Sequence, residues 1–249
     1  MNFKNKTILI TGGSSGIGLA FTKHLRNLGA NIIITGRDID KLESIEEQMP
    51  GIKTIACDLS IERDLLNLFE NISHNNSNLS IIINCAGIMK HMRLLDPTLS
   101  ISELTSEIDV NLSSIIKLNH LFIPLLKKQE EAAILNVTSG LAFVPFLPSP
   151  IYSAAKAGLH AYTKLLRLEL NNTTIKVFEI APPSTNTPML NSFAEYNKNN
   201  KLMSTDELIQ KSIRGIQKNN YEIKPGGAGF LYWLGRLAPG MALKMVNRV

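Results

Sequence analysis

Short apolar runs alternate along the chain with longer segments in which apolar residues recur every three or four positions. The short runs are rich in β-branched residues, which favour strands, and the longer period is typical of amphipathic helices. Alternating strands and helices build a parallel sheet that helices cover on both faces. The runs are apolar almost throughout, as strands buried on both faces require. The pattern therefore predicts an α/β fold with a doubly wound parallel sheet.

The predicted elements extend over almost the whole chain. No Pro-, Gly- or charge-rich stretch separates two halves, so we expect one domain over residues 1–249, with a Rossmann-like sheet of about seven strands. The predicted strands cover residues 7–11, 31–35, 53–57, 80–84, 133–139, 176–180 and 221–223. The predicted helices cover residues 16–28, 39–48, 61–73, 101–128, 153–171 and 205–218.

Composition narrows the class of protein. The chain has 249 residues, of which 44% are hydrophobic and 19% are charged, as in a globular protein that can bury a core. The formal net charge is +5, and residues 223–249 contain four cations and no acid. Separated cations without a recognisable reading module fall short of a nucleic-acid patch, so we expect no nucleic-acid binding. We also predict no metal site.

The N-terminal residues and the two cysteines indicate the cellular compartment in which the protein is expected. Residues 1–6 run directly into the first apolar strand, without the apolar segment and cleavage site of a secretory signal. Cys57 and Cys85 stand at the ends of predicted strands, where free thiols behave as small hydrophobic groups. These features favour a reducing compartment, and we expect a cytoplasmic protein.

A glycine-rich turn joins the first strand to the first helix and reads G-x-x-x-G-x-G. Glycines at such a turn let the backbone approach a pyrophosphate, and the helix N-terminus offers free N–H groups and a positive dipole end. The alternative is that these glycines only make a tight turn. We predict a dinucleotide site, and the residues expected to contact the dinucleotide are Gly12, Ser14, Ser15, Gly16, Ile17 and Gly18.

The end of the second strand bears on which dinucleotide is bound. An NAD enzyme places a carboxylate there for the ribose 2′-hydroxyl, whereas this chain has Gly36 followed by Arg37. A guanidinium can bind a 2′-phosphate bidentately, so we predict NADP(H) rather than NAD(H). The alternative is that Arg37 is a solvated loop residue and that Asp38 binds the hydroxyl.

Polar and small residues follow the third and fourth strands at their carboxyl ends, where ligands lie in such sheets. A carboxylate after the third strand could accept a hydrogen bond from the adenine amino group, and a small-residue turn after the fourth would let backbone lie close to the ribose. Each could also be an ordinary strand-to-loop turn. The cofactor contacts predicted here are Asp58, Leu59, Asn84, Ala86 and Gly87.

Tyr152 and Lys156 are spaced i, i+4 on one predicted helix, so the ammonium lies near the phenol. A neighbouring cation favours phenolate, and we expect it to lower the pKa of the tyrosine from about 10 and so make it a usable acid/base. Ser139, at the end of the fifth strand, supplies a hydroxyl that can bind a carbonyl oxygen. A Y-x-x-x-K pair alone is common on helix surfaces, but together with Ser139 and the dinucleotide turn it predicts a catalytic site.

Taken together, these stretches resemble the short-chain dehydrogenase/reductase family over nearly the whole chain. The interval of thirteen residues between Ser139 and Tyr152 also fits the family. The matching motifs are T-G-x-x-x-G-x-G at residues 11–18, N-[NC]-A-G at 84–87, the helix asparagine Asn111, the serine Ser139 and Y-x-x-x-K at 152–156.

The resemblance implies a role for each of four residues. Asn111 would hold a water beneath Lys156, and Lys156 would also bind the nicotinamide ribose. Ser139 would orient the substrate oxygen. Tyr152 would transfer the proton and, like Lys156, would also contact the cofactor. The implied activity is that of an NADP(H)-dependent oxidoreductase that interconverts a carbonyl and a secondary alcohol. A cofactor-binding regulator or scaffold without turnover is the alternative, which the full set of four residues disfavours.

The chain departs from the family pattern at residues 181–187, where most members place a glycine after the proline and this chain has Pro183. The second proline removes an N–H and fixes φ at about −65°, so the loop is expected to run differently. Thr187 stands where the family places the hydroxyl that binds the nicotinamide carboxamide. The cofactor contacts expected from this loop are Pro182, Thr185 and Thr187.

The resemblance also places an apolar substrate pocket beside residues 140–148, Met89, His91 and the loop 189–200. We therefore expect a small-molecule carbonyl or alcohol substrate of apolar character. His91 is interpreted as a loop residue, because Tyr152 already supplies the proton. The residues that could equally lie in the core or in an interface are Phe143, Phe146 and Leu147.

The C-terminal segment, residues 226–249, is amphipathic and contains basic residues. Arg236, Pro239 and Gly240 interrupt its apolar run, so it is not a membrane-spanning helix. We expect it to pack on the domain or at a subunit interface, and a membrane-surface contact is the lesser alternative. By analogy with the family we expect a homodimer or homotetramer that pairs through the helices at 101–128 and 153–171.

Overall fold

Parallel strands form a single sheet in the part of the chain that the structure describes. The computed structural model describes residues 1–197 and 202–247. Its strands are β1 (Thr7–Thr11), β2 (Asn31–Gly36), β3 (Lys53–Ala56), β4 (Leu79–Asn84), β5 (Ala132–Val137), β6 (Ile175–Ile180) and β7 (Glu222–Ile223). They pair in the order β3-β2-β1-β4-β5-β6-β7. The predicted doubly wound parallel sheet is confirmed.

Helices connect successive strands. The described helices are α1 (Gly16–Asn27), α2 (Ile39–Gln48), α3 (Glu62–Asn75), α4 (Ile101–Ile108), α5 (Ser114–Leu126), α6 (Pro150–Glu169), α7 (Ala194–Asn197), α8 (Thr205–Gln217), α9 (Gly227–Leu237) and α10 (Pro239–Asn247). Residues 198–200 of the predicted substrate loop, together with Arg248, lie outside the described residues.

The sheet is buried between two helical layers because alternate residues of each strand point to opposite faces. Ile8 and Ile10 of β1 pack with α1, α2 and α8, whereas Leu9 packs with α3, α5 and α6. Both faces are therefore apolar, which explains why the strands show no polar alternation in the sequence.

The strand order reverses beside β1, which pairs with β2 on one side and β4 on the other. Thr11 is aligned with Thr35 of β2 and with Asn84 of β4, so the three strands end at the same level. The connections after β1 and β4 then leave toward opposite faces and open a crevice at this point, where ligands bind in sheets of this class.

The helix predicted over residues 101–128 is wrong in its middle. A π-helical turn, Asp109–Ser113, separates α4 from α5. Such a turn contains one residue more than an α-helical turn, and apolar periodicity does not resolve a single extra residue. Two smaller shifts have local causes: β5 ends at Val137 because Ser139 caps a short 3-10 turn, and α6 begins early because Pro150 suits the first helical position.

The C-terminal segment folds as two short helices, α9 and α10, with Pro239 at the start of the second. Proline is well placed there, because a first-turn N–H has no partner within the helix. Among the helices between residues 1 and 247, leaving aside the gap at 198–201, none is both long and apolar enough to cross a membrane.

Candidate active site

A groove of ~1610 Å³ runs along the carboxyl ends of the strands, from the end of β3 to α9 and α10. Ligand pockets usually measure about 300–1,000 Å³, so this groove has room for a dinucleotide and a second molecule. Most of the predicted site residues line it: Gly12, Ser14, Ser15, Gly16, Ile17, Gly18, Arg37, Asp58, Leu59, Ala86, Gly87, Ser139, Tyr152, Lys156, Pro182 and Thr187.

The turn between β1 and α1 exposes backbone without side chains to the groove, because it is rich in glycine. Gly12 has φ +68°, and a Cβ built on it would lie 2.9 Å from the Cα of Ala86. A Cβ on Gly18 would lie 2.1 Å from the carbonyl oxygen of Gly12. Side chains at these positions would collide with neighbouring backbone, so both glycines are required by space and Gly12 also by its conformation.

The N-terminus of α1 fits an anionic group. Ser15 precedes the helix and makes no side-chain hydrogen bond to its first turn within the described residues, and residues 16–19 contain no acid. The first-turn N–H groups therefore keep their hydrogen-bonding capacity and the positive end of the helix dipole is uncompensated. The cradle suits the pyrophosphate of a dinucleotide.

Arg37 and Asp58 meet at the other end of the groove, with 3.8 Å between Nη1 and Oδ2. The Arg37 side chain is 60% exposed, so its guanidinium has room to turn toward a ligand. Asp38 is occupied differently: its carboxylate accepts from the backbone N–H of Lys41 and pairs with the ammonium of the same residue at 2.6 Å. Asp38 therefore already has two partners that compete with a ribose hydroxyl.

Asn84 and Thr185 do not line the groove, although they are predicted cofactor contacts. The buried amide of Asn84 donates to the side-chain oxygens of Asn119 and Asn136 at 2.9 and 2.8 Å. The Thr185 hydroxyl donates to the carbonyl oxygen of Pro183 at 2.8 Å. Both side chains hold the walls of the groove together, and the sequence motif does not distinguish this role from ligand contact.

The groove brings Ser139, Tyr152 and Lys156 together. Lys156 Nζ donates to the carbonyl oxygen of Val137 at 2.9 Å and lies 5.7 Å from the centroid of the Tyr152 ring. The Ser139 hydroxyl is close enough to the phenol to act on its pKa. Its oxygen also accepts from the N–H of Leu141 at 3.1 Å, which fixes the side chain. A phenol, a hydroxyl and an ammonium thus share one small volume.

Burial dominates the electrostatics of this trio. It raises the pKa of Tyr152 to about 12, an effect that the Ser139 hydrogen bond opposes and the charge of Glu107 increases. Burial also lowers the pKa of Lys156 to about 8. This differs from the expectation that Lys156 lowers the pKa of the phenol. The desolvation of each charged form outweighs the attraction between them, so the protein groups by themselves keep Tyr152 protonated.

Asn111 lies in the π-helical turn and binds the backbone of the neighbouring loop. Its amide donates to the carbonyl oxygen of Ile88 at 2.8 Å and accepts from the N–H of the same residue at 3.1 Å. A Cβ built on Gly87 would lie 2.7 Å from Asn111 Oδ1 and 3.7 Å from Lys156 Nζ. Asn111 therefore lies close to Lys156, while the water-holding role that the resemblance implies stays a prediction.

Glu107 is a buried residue of this region that sequence reasoning missed. It lies four residues before Asn111, is fully buried, and accepts from the N–H of Lys90 at 2.8 Å through Oε1. Its second oxygen makes no hydrogen bond within the described residues. Together with Asn111 it holds the loop that lines the groove. The sequence feature that could have indicated Glu107 is its spacing of four residues from Asn111, which places both side chains on one face of a helix.

The pKa of Glu107 predicts a pH-dependent difference between two glutamates of α4. Burial raises the Glu107 pKa from 4.5, which the hydrogen bond and the charge of Lys90 only partly offset. The folded state thus holds this proton more tightly than the unfolded state, and stability is lost as pH rises from 4.5 through the raised pKa. Glu107→Gln removes that loss, so the variant should gain in free energy of unfolding relative to the native chain as pH rises.

Glu103→Gln is the matched control, because hydrogen bonds from Ser100 hold the pKa of exposed Glu103 below its usual range. Its stabilising contribution is present above pH 4.5 and lost at lower pH, so this variant should lose stability relative to the native chain as pH rises. Thermal unfolding of the three proteins between about pH 4 and about pH 8 measures both trends. Trends of the same sign would contradict the prediction.

The loop with the second proline is tied down at both ends. The carbonyl oxygen of Pro182 accepts from the N–H of Gly140 at 2.9 Å. The backbone groups of Ser184 and Asn186 bond to Met203 at 3.0 and 2.9 Å. Pro183 has no N–H, and the backbone hydrogen bonds of this loop are made by the residues on either side of it. Thr187 lines the groove.

Apolar residues line the end of the groove beyond Tyr152. Met89, Phe146 and Leu147 contribute to this wall. Half-buried Phe143 instead packs edge-on against His160 and Tyr232, each at 5.1 Å between ring centroids, and does not line the groove. His91 lies outside the wall with Nε2 at 3.2 Å from the Tyr196 hydroxyl. Four residues of the C-terminal helices complete the wall: Phe230, Leu231, Met245 and Val246.

Comparison with known proteins agrees with this arrangement. A sequence profile of the family described as short chain dehydrogenase matches residues 6–198. The chain is a short-chain dehydrogenase/reductase. Among relatives of this family, the uncharacterized oxidoreductase DltE of Bacillus subtilis (strain 168) is 38% identical over 224 residues, which cover 90% of this chain and 89% of the relative. An uncharacterized oxidoreductase of Staphylococcus epidermidis is 31% identical over 187 residues, covering 75% and 80%.

Solved structures of short-chain dehydrogenases/reductases share the fold. A short-chain dehydrogenase from Burkholderia cenocepacia in complex with NADP superposes with a TM-score of 0.85 at 19% identity, covering 99% of both chains. A 3-ketoacyl-(acyl-carrier-protein) reductase from Brucella melitensis complexed with NADH gives a TM-score of 0.77 at 27% identity, covering 86% of this chain and 91% of the reductase.

Proposed function

We propose that this short-chain dehydrogenase/reductase is an NADP(H)-dependent oxidoreductase that interconverts a carbonyl and a secondary alcohol. The proposal rests on one observation: Ser139, Tyr152 and Lys156 lie together in the groove that also contains the glycine-rich turn suited to a dinucleotide. A protein that only bound the dinucleotide would not need a proton donor and a hydroxyl at that point.

The residues at the end of the groove expected to bind the adenosine favour NADP(H) over NAD(H). Arg37 supplies a guanidinium with room to turn, and Asp38 is occupied by Lys41. Structures with a similar fold contain either form, since one neighbour is a complex with NADP and another a complex with NADH. The choice of cofactor therefore rests on this chain's own residues, with Gly12, Gly16 and Gly18 as the cradle for the pyrophosphate.

The residues divide the reaction between them. When bound, reduced nicotinamide supplies the hydride that adds to the carbonyl carbon and is itself oxidised. Ser139 donates a hydrogen bond to the carbonyl oxygen and so holds it beside the phenol. Tyr152 transfers its hydroxyl proton to that oxygen as the negative charge develops, and the product is the secondary alcohol. Lys156, held by Val137, stabilises the phenolate that remains.

Burial sets the protonation state of Tyr152 before a substrate binds. Because burial raises the pKa of Tyr152 to about 12, the phenol carries its proton at neutral pH and is ready to donate. The apolar wall formed by Met89, Phe146 and Leu147 suits a substrate whose carbonyl carries apolar substituents.

The proposal is tested with the purified full chain and a panel of aldehydes and ketones. Oxidation of NADPH in the presence of one of these carbonyls, followed by absorbance, is the expected result. NADPH binding without turnover across the panel would favour the scaffold alternative. No binding of either dinucleotide would contradict both.

Arg37→Gln is expected to weaken NADPH binding by about 10- to 100-fold, since a hydrogen bond to a charged group contributes about 1.5–3 kcal/mol. NADH lacks the 2′-phosphate, so its dissociation constant should stay nearly unchanged. Fluorescence titration of each dinucleotide measures both constants. Arg63→Gln is the matched control, because Arg63 is exposed on α3 and does not line the groove. Equal losses for NADPH and NADH would contradict the assignment of Arg37.

Self-association is part of the proposal as well. Ile116 of α5 and Leu165 and Leu168 of α6 are exposed apolar residues on the helices through which we expect subunits to pair. Burial of such residues between two copies would remove apolar surface from water.

A further inference from the structure

The two C-terminal helices expose an apolar surface that no other described part of the chain covers. Its members are 45–79% exposed. On α9 they recur at i, i+3 and i+7, and on α10 at i and i+4, so each helix presents one outward row. We call this the tail surface, and its apolar members are Phe230, Trp233, Leu237, Met241 and Met245.

The exposed charges of the same helices are all positive. Arg236 and Lys244 are exposed, and residues 223–249 contain no acid. The Arg236 guanidinium lies over the ring of Tyr232 at 4.5 Å from its centroid, so the arginine stem follows the helix surface. Lys224, which precedes α9, differs from these two cations because its ammonium pairs with the carboxylate of Glu222. The tail surface therefore combines apolar side chains with two cations that have no acidic neighbour in the segment.

The tail surface adjoins the mouth of the groove. Phe230 and Met245 belong to it and also line the groove. Asn247 at the end of α10 donates to the carbonyl oxygen of Pro145 at 3.0 Å and accepts from the N–H of Leu147 at 2.6 Å. These bonds fix α10 against the loop that borders the groove. Whatever covers the tail surface therefore lies beside the groove entrance.

The charge of the tail surface distinguishes two possible binding partners, a second copy of the chain and an anionic lipid surface. In a two-fold contact with a second copy, the same patch lies on both sides, so Arg236 and Lys244 of both chains would enter one interface to which the segment contributes no acid. An anionic lipid surface offers headgroups for the cations and hydrocarbon for the apolar row. Aromatic and aliphatic residues beside basic ones are the composition of helices that lie in a bilayer interface.

We propose that the tail surface binds an anionic lipid bilayer, with α9 and α10 lying in the interface and the groove entrance beside the membrane. Trp233, Leu237 and Met241 enter the boundary between headgroups and acyl chains. Arg236 and Lys244 contact the lipid phosphates. The contact is peripheral, so high salt weakens it by screening the two cations.

Flotation of the purified full chain with vesicles tests the proposal. The chain should float with vesicles of phosphatidylglycerol and phosphatidylcholine, and less with phosphatidylcholine alone. Leu237→Gln and Trp233→Gln should each lower the bound fraction at limiting lipid by about tenfold, the factor expected when one large apolar side chain no longer enters hydrocarbon. The double variant Arg236→Gln/Lys244→Gln should lose the preference for the anionic vesicles.

Matched controls lie on other helices. Leu66→Gln changes an exposed leucine of α3, a helix outside the expected subunit interface and away from the groove. Arg214→Gln/Lys218→Gln removes two exposed cations at the end of α8. Both control proteins should float like the native chain. Circular dichroism and NADPH fluorescence establish that each variant is folded with an intact groove.

Three outcomes would overturn the proposal. The native chain could fail to float with the anionic vesicles, or the tail variants could float as well as the controls. Light scattering could instead show that Leu237→Gln lowers the mass of the native assembly while no vesicle binding occurs, which would assign the surface to a second copy of the chain. Tyr152→Phe should float like the native chain, so a failure of the proposed catalysis leaves this test intact.

Discussion

Tyr152→Phe is expected to lower kcat for carbonyl reduction by about 10²- to 10⁴-fold, the range that a positioned acid or base contributes. The substitution removes only the phenolic oxygen, and the ring can keep its place at the start of α6 because Tyr152 is buried. The dissociation constant for NADPH should change by no more than about threefold, since the glycine turn, Arg37 and Lys156 keep their predicted contacts with the dinucleotide.

Two measurements separate catalysis from folding in this variant. Single-turnover oxidation of NADPH reports the chemical step, and fluorescence titration reports dinucleotide binding. Tyr162→Phe is the matched control on the same helix: its hydroxyl accepts from the Asn119 amide at 3.4 Å and lies away from the groove. Native turnover in Tyr152→Phe would show that another group supplies the proton.

Gly18→Ala is expected to weaken binding of either dinucleotide by roughly 100-fold or more, because the added Cβ would displace backbone that the pyrophosphate needs. The Cβ would lie 2.1 Å from the carbonyl oxygen of Gly12, a distance that only a shift of the turn can relieve. Overpacking of this kind also costs about 1–3 kcal/mol of stability.

Fluorescence titration and thermal unfolding measure the two effects of Gly18→Ala. Gly240→Ala is the control for a methyl group added to a helical glycine, because nothing lies within 4 Å of the Cβ position there. The control should bind dinucleotide normally and unfold at the native temperature or slightly above it. Normal binding by Gly18→Ala would contradict the cradle.

The sheet and most of the site could be predicted because their signals are local. Each strand is a short apolar run bounded by polar or small residues, and burial on both faces leaves no other pattern. The cradle follows from glycines at a strand-to-helix junction, and Tyr152 and Lys156 follow from their spacing on one helix. These features depend on neighbours in sequence, so the sequence contains them.

The features that were missed depend on neighbours in space. Asn84 belongs to a motif that also contains groove residues, yet its side chain turns inward to Asn119 and Asn136. Glu107 is buried and binds the backbone of Lys90, a residue of the preceding loop that lies close to it only in the folded chain. The pKa of Tyr152 depends on how far the surrounding protein excludes water, which spacing does not reveal.

The π-helical turn at Asp109–Ser113 makes the length of this stretch as important as its composition. One extra residue rotates everything before it by roughly 100° relative to a continuous α-helix. Deleting any one residue of the turn would leave a good helix and an intact core pattern in α5, yet it would swing Glu107 away from the loop that it holds. An insertion or deletion here would therefore change the site even where the sequence still predicts one continuous helix.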